Sequence, residues 1–262
     1  MQAITHIIDS PGLSLDTIKT YNSLIREFSF DAINRKNVLS YLDRYPPRSR
    51  ITAAYALKKA FAIKGIPWPL LKGDLPRVNP MEGRFPVLSP EDIRNLIIWS
   101  KKDGDDATRA FIALSTTYGF RLGELASLDC LNIDLKERRL TIQTEKKGIM
   151  RVHSIPQHIF VFLKEYPFPK IGKSQLDFML KRALALVGIE REKGTGFHAI
   201  RRSLITQLFE RGIPIWDIFK FFGWRNTEFW GLPRMPMLYY HPEQASLDER
   251  IFRVHPFLGL WR

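Results

Sequence analysis

The sequence has only one cysteine and lacks the features of secreted, zinc-binding and membrane proteins. Cys130 has no partner for an intramolecular disulfide, and no cysteines and histidines stand at the spacing of zinc ligands. No stretch reaches the roughly 18 apolar residues that a membrane span needs. The N-terminus, MQAITHIIDSPG, has no basic region followed by an apolar run. We therefore expect an intracellular protein without a targeting signal, a metal centre or membrane association.

Acidic residues are scarce relative to basic ones. The chain has 27 Asp and Glu against 40 Lys and Arg, which gives a formal net charge of +13. A charge excess of this size favours nucleic acid as a partner over an acidic membrane surface. Hydrophobic residues make up 45% of the 262 residues, which is enough to form a core. The expected location is the cytoplasm, either associated with a nucleoid or in a host cell.

Hydrophobic periodicity predicts an all-α region at the N-terminus. Apolar residues recur at helical spacing over residues 15–28, 35–45 and 49–63. Two consecutive prolines, at positions 46 and 47, should end the second helix because proline lacks the amide donor. The third helix carries a basic face that suits either solvent or DNA phosphates. Its candidate phosphate contacts are Arg50, Lys58 and Lys59.

A segment rich in proline and glycine, GDLPRVNPMEGRFPV, separates this region from the rest of the chain. It has no sustained period and is typical of an interdomain linker. We predict a helical domain at residues 1–75, a linker at 76–87 and a larger domain at 88–262.

The second domain is predicted to be mainly α with a small antiparallel β-sheet. It opens with Ser89-Pro90-Glu91-Asp92, which has an N-cap, proline at N1 and an acidic residue at N3. A helix over residues 106–118 leads into the helical pattern of FRLGELASL. The alternation in LNIDLKERRLTIQTEKKGIMRVHSIP predicts two or three short strands, and the chain from residue 157 onward is again mainly helical.

The most informative segment is HAIRRSLITQLFERGIPIWDIFKFFGW. His198 and Arg201 are three residues apart, so on a helix both can donate to one phosphate. This segment and GFRLGELASL resemble the two signature segments of the tyrosine recombinase (phage integrase) family, in the family's order, with strands between them and tyrosines after them. The resemblance covers residues 88–262 strongly and the N-terminal region only in general character. It implies that residues 88–262 are a tyrosine recombinase catalytic domain and that residues 1–75 are a helical DNA-binding domain.

The resemblance implies roles for several residues. Arg121 matches the first catalytic arginine, His198 and Arg201 match the HxxR pair, and Trp224 stands where the family has His or Trp. Glu124 matches the acidic residue that supports the first arginine. Arg202 is a further candidate DNA contact.

The catalytic lysine of the family lies in the hairpin between two strands. Lys146 and Lys147 both qualify, and we favour Lys147 because it precedes Gly148 as in the common K-G turn.

The position of the nucleophile departs from the family pattern. The family tyrosine usually follows the tryptophan position by about nine residues, where this chain has Pro233, so an insertion is implied. Tyr239 and Tyr240 are the first tyrosines after it, and Tyr239-Tyr240-His241 has the family's Y-x-H form. We favour Tyr239.

The resemblance implies strand exchange on double-stranded DNA through a 3′-phosphotyrosyl intermediate. The arginines, the imidazole and the indole would stabilise the pentacoordinate phosphorus, and the lysine would protonate the leaving 5′ oxygen. No metal, ATP or other cofactor is implied, and the partners are DNA and further copies of the chain as dimer and tetramer. Two alternatives remain: a catalytically inactive DNA-binding relative, and a type IB topoisomerase-like enzyme. The C-terminal tail from residue 247 suits docking on a neighbouring protomer and packing in cis equally well.

Overall fold

The computed structural model describes residues 13–31, 33–77, 85–144, 150–190, 192, 194–224 and 242–262. Two compact units divide the chain, Met1–Arg84 and Phe85–Arg262. Among the described residues, no helix is both long enough and apolar enough to span a bilayer. The architecture confirms the predicted fold class, which is mainly α with a small antiparallel sheet.

The first unit is all-α in its described residues. Its helices are α1 (Leu15–Ile25), α2 (Arg35–Leu42) and α3 (Pro47–Ile63). Ser14 and Asn34 cap α1 and α2 by accepting backbone N–H groups with their side-chain oxygens. Pro47 occupies the first position of α3, where a missing N–H costs nothing. The two prolines therefore separate α2 from α3 and also start α3.

Small residues on α3 let the first unit pack closely. The buried face of α3 combines four alanines with two large side chains, Leu57 and Phe61, and α1 packs against it. The predicted phosphate contacts on α3 have different surroundings. Lys58 is exposed and Lys59 is half-buried, whereas Arg50 is half-buried and forms an ion pair with Asp43 at 2.9 Å.

The second unit surrounds its core with helices and places the sheet at one side. Its helices are α4 (Pro90–Asp103), α5 (Asp106–Tyr118), α6 (Leu122–Ala126), α7 (Gln157–Lys164), α8 (Lys173–Leu186), α9 (Phe197–Glu210), α10 (Ile215–Phe221) and α11 (Gln244–Arg253). The predicted capping box is present, because Ser89 and Asp92 exchange hydrogen bonds at the start of α4. Helix α5 is almost entirely buried and contacts α4, α7, α8 and α9.

The sheet has three antiparallel strands in the order β1-β2-β3. They are β1 (Ile133–Asp134), β2 (Arg139–Gln143) and β3 (Met150–Ser154). In β2 the apolar Leu140 and Ile142 face inward. In β3 the polarity is reversed: Arg151 and His153 are buried, and Val152 is exposed. The register places these two polar residues opposite Ile142 and Leu140 on the inner face.

The C-terminal tail packs in cis in this structure. A 3-10 turn at Leu258–Trp261 contacts α4, α5 and α7 of the same chain. Trp261 is buried, and its indole N–H donates to Thr116 Oγ1 at 3.2 Å. Lys101 Nζ donates to the carbonyl of Leu260 at 3.0 Å. The tail thus completes the core of the second unit.

A buried histidine at the base of this tail should make stability depend on pH. His255 Nδ1 faces two backbone N–H groups, those of Phe257 at 3.2 Å and Leu258 at 3.0 Å, so the ring proton lies on Nε2, which donates to the carbonyl of Thr117 at 3.0 Å. Burial lowers the pKa of His255 to about 4.

The unfolded chain takes up the His255 proton near pH 6.5, whereas the folded chain takes it up only near pH 4. The contribution of neutral His255 is therefore complete above pH 6.5 and lost as the pH falls to 4, by about 3 kcal/mol at most. We expect urea titrations to show a shallower fall in unfolding free energy across this window for His255→Gln than for the wild type. Equal slopes for the two proteins would contradict this assignment.

Candidate active site

Three arginines from distant parts of the sequence surround the carboxylate of Glu124. Arg121 Nη1 lies 3.0 Å from Glu124 Oε1, Arg151 Nη2 lies 3.6 Å from the same oxygen, and Arg201 Nη1 lies 3.9 Å from Oε2. Glu124 is fully buried, and its Oε2 also accepts the backbone N–H of Arg121 at 2.8 Å. One carboxylate therefore orients a cluster of guanidinium groups.

The charges of this cluster do not balance. The three guanidinium groups and the one carboxylate have a formal net charge of +2. Arg151 and Arg201 are almost fully buried, while the Arg121 side chain is 17% exposed. A net positive charge attracts anions, and the exposed part of the Arg121 side chain is where an anion could approach the cluster. A phosphodiester supplies such an anion.

Two glycines allow the backbone to approach these arginines. Gly119 ends α5 in the left-handed region at φ 61°, and a Cβ there would lie 2.5 Å from the Phe222 ring. Gly223 has φ 65°, and a Cβ there would lie 2.7 Å from Arg151 Nε. Only glycine accepts both the conformation and the close contact. The glycine of the GFR segment therefore makes room for the Phe222 ring, and the glycine of the FGW segment makes room for the Arg151 guanidinium.

Arg201 is held by the backbone on two sides. Its Nη1 donates to the carbonyl of Gly119 at 2.7 Å, and its Nη2 donates to the carbonyl of Phe222 at 3.1 Å. Its Cζ lies 4.7 Å from the centre of the Phe222 ring and 5.4 Å from that of Trp224. These contacts fix the plane of the guanidinium and bring Trp224 to the arginine cluster.

His198 lies on α9 one turn before Arg201, and part of its side chain is exposed to solvent. Partial burial of the ring, followed by the positive charges of Arg201 and Arg121, lowers the pKa of His198 below its ordinary value. The imidazole is therefore neutral at neutral pH and can accept a proton. The structure thus brings Arg121, Glu124, Arg201 and Trp224 together, with His198 on the same helix as Arg201.

Arg151 was not predicted from the sequence. Its Nη1 donates to the carbonyl of Phe221 at 2.5 Å and lies 3.4 Å from His153 Nε2. His153 Nδ1 lies 2.9 Å from Asp248 Oδ1 on α11. The sequence signal for Arg151 was that it alternates with His153 in β3, so both side chains lie on the same face of the strand. Hydrophobicity alone would turn Val152 inward and leave both ionisable residues exposed. The structure has the opposite orientation.

The remaining candidates lie either outside the described residues or outside this cluster. Lys146, Lys147, Tyr239 and Tyr240 lie outside the described residues. Arg202 is half-buried, its Nη1 donates to the carbonyl of Pro86 at 2.8 Å, and its Cζ lies 4.8 Å from the Phe85 ring centre. Over the described parts of the chain, no three His, Cys, Asp or Glu side chains are grouped as ligands for a metal ion.

Several solved structures are similar to the chain at low sequence identity. A XerH site-specific recombinase bound to palindromic difH substrate has a TM-score of 0.66 and 19% identity, over 80% of this chain and 73% of that chain. A lambda integrase tetramer bound to a Holliday junction has a TM-score of 0.60 and 20% identity, over 82% and 70%. The Tn1549 transposon integrase in complex with a circular intermediate DNA has a TM-score of 0.60 and 13% identity, over 93% and 95%. These similarities show a shared fold.

The sequence comparison identifies the family. No curated protein matches the chain significantly. The model of the phage integrase family matches residues 86–242, which include the whole arginine cluster. Because this match spans more than half of the chain, the protein belongs to the phage integrase family of tyrosine recombinases.

Proposed function

We propose that this protein is a site-specific DNA recombinase that cleaves and rejoins DNA strands through a 3′-phosphotyrosyl intermediate. The observation that carries the proposal is the cluster of three arginines around buried Glu124, which has a formal net charge of +2. An enzyme that attacks a phosphodiester needs such a preorganised group of donors where negative charge develops. Family membership and the DNA complexes among the similar structures support the same conclusion.

In the proposed reaction a tyrosine oxygen attacks the scissile phosphorus and the 5′ oxygen leaves. Arg121 and Arg201 donate to the nonbridging oxygens, and their hydrogen bonds strengthen as the phosphorus becomes pentacoordinate. Neutral His198 accepts the phenolic proton or donates to the phosphoryl group, and a lysine protonates the leaving oxygen. The phosphotyrosyl ester conserves the bond energy, so religation to a second strand requires no ATP.

We assign the nucleophile to Tyr239 and the general acid to Lys147, with Tyr240 and Lys146 as the alternatives. The helical first unit supplies further phosphate contacts. Lys58 is exposed and Lys59 half-buried, so both can reach DNA, whereas the ion pair between Arg50 and Asp43 must first open. Phosphate contacts of this kind make DNA binding depend on salt concentration. A complete reaction would use two protomers per site and a tetramer.

Covalent trapping on suicide DNA substrates tests the proposal. Candidate sites come from the element that encodes the protein, and the reaction is run with a metal chelator present. We expect wild type to form a protein-DNA adduct, Tyr239→Phe to form none, and Tyr240→Phe to behave as wild type. Lys147→Ala should slow adduct formation on an ordinary substrate but not on one with a 5′-bridging sulfur, because a thiolate leaves without protonation.

The outcomes separate the candidate functions. Loss of the adduct only in Tyr240→Phe moves the nucleophile by one residue. Site-specific binding without any adduct identifies the inactive DNA-binding relative. Relaxation of supercoils without strand exchange between two sites identifies a topoisomerase-like activity.

A further inference from the structure

A buried chain of polar side chains leads from the arginine cluster to the C-terminal helix α11. Arg151 lies between Glu124 on one side and His153 on the other, and His153 contacts Asp248. All four side chains are almost completely buried. The second oxygen of Asp248 accepts the backbone N–H of Ser154 at 2.6 Å, and Gln244 Nε2 donates to Oδ1 at 2.8 Å.

The protonation states along this chain are consistent. Burial, which outweighs the hydrogen bond that His153 donates to Asp248, lowers the pKa of His153, so the ring is neutral. The Nδ1 proton then points at Asp248, and the lone pair of Nε2 faces Arg151 Nη1. Burial likewise lowers the pKa of Arg151 to about 10, which leaves the guanidinium charged at neutral pH. Within the described residues its Nε and Nη2 have no hydrogen-bond partner, so its position depends on Phe221, Glu124 and His153.

This series of buried polar side chains contacts residues on both sides of segment 225–241 in the sequence. Arg151 holds the carbonyl of Phe221, three residues before Trp224. Asp248 and Gln244 lie on α11, which begins three residues after that segment. Tyr239 and Tyr240, the candidate nucleophiles, belong to the segment. Strand β3 therefore contacts the residues before and after the segment to which the proposed function assigns the nucleophile.

We propose that Arg151, His153 and Asp248 form a positioning relay, which fixes the residues flanking segment 225–241 relative to the arginine cluster. This inference rests on the proposed function in placing the nucleophile within that segment. The three side chains touch neither phosphate nor tyrosine in this proposal. They act through Glu124, the backbone at Phe221 and helix α11.

Amide hydrogen exchange tests the relay without reference to catalysis. In Asp248→Asn, we expect faster exchange at residues 221–224, at the opposite end of the relay, as well as in α11. In Arg151→Met, exchange in α11 should likewise increase. Glu249→Gln is the matched control, because Glu249 is the exposed neighbour of Asp248 on the same helix and pairs only with Arg253 in the contacts described. Unchanged exchange at residues 221–224 in Asp248→Asn would overturn the relay.

Single-turnover cleavage tests its role in positioning. We expect Arg151→Met and Asp248→Asn to lower the cleavage rate on the order of 100-fold while the Kd for DNA changes far less, because a small displacement of a reacting group affects the chemical step more than binding. The double variant should be no slower than Arg151→Met, since both changes break one relay. Leu163 is a buried residue of α7, and Leu163→Ala controls for loss of stability alone.

The outcomes distinguish this inference from the proposed function. A wild-type rate in Asp248→Asn, or an equal loss of rate in Leu163→Ala at matched stability, would overturn the positioning role. Additive losses in the double variant would show two independent effects and would also overturn it. A wild-type protein that forms no adduct would overturn the proposed function, and the exchange experiment would still decide whether the relay exists.

Discussion

Replacing Arg201 should reduce DNA cleavage by about 10²- to 10³-fold, the loss expected when one preorganised donor to a developing oxyanion is removed. Arg201→Lys should lose nearly as much as Arg201→Ala. Lysine keeps the charge but cannot donate to the carbonyls of Gly119 and Phe222 and to a phosphate oxygen from one rigid plane. The measurement is the single-turnover rate of adduct formation at saturating enzyme.

A second arginine on the same helix provides the control for Arg201. Arg211 is exposed at the C-terminal end of α9, and Arg211→Lys should cleave at the wild-type rate. Binding to DNA should weaken far less than cleavage in Arg201→Lys, because many phosphate contacts share the affinity. A cleavage rate within a few-fold of wild type in Arg201→Lys would show that charge alone suffices at this position.

Replacing Glu124 should destabilise the protein strongly. The carboxylate is fully buried and lies within 4 Å of three guanidinium groups, so Glu124→Gln removes the common counterion of two buried arginines and of the partly exposed Arg121. Breaking a buried ion pair on one side costs about 3–5 kcal/mol. For a catalytic unit of this size we expect a fall in Tm of about 10 °C, measured by scanning calorimetry.

Added phosphate should distinguish this electrostatic cause from a packing defect. Glu124→Gln has one more unbalanced positive charge than wild type, so inorganic phosphate should raise its Tm more than that of wild type. Leu163→Ala, a core variant without a charge change, should show only the wild-type response. Equal responses in all three proteins would contradict the role of Glu124 as the counterion of the cluster.

Local patterns in the sequence were sufficient for most of the secondary structure. Capping residues and hydrophobic period predicted α4, α5 and two or three short antiparallel strands, of which the structure has three, because these signals act over a few residues. The predicted boundary between the second and third helices was less accurate. A proline that stops one helix is also a favourable first residue of the next, and Pro47 begins α3.

The sequence by itself determined the family and the residue types of the candidate site. Arg121, Glu124, His198, Arg201 and Trp224 lie in two segments whose spacing carries the family resemblance, and the matching family model covers both. Only the tertiary structure decided that Arg151 joins Arg121 and Arg201 at Glu124, and that His153 connects it to Asp248, 95 residues further along the chain. The physical reason is that periodicity reports which face of a strand is apolar, whereas burial of a charge depends on a counterion supplied by a distant element.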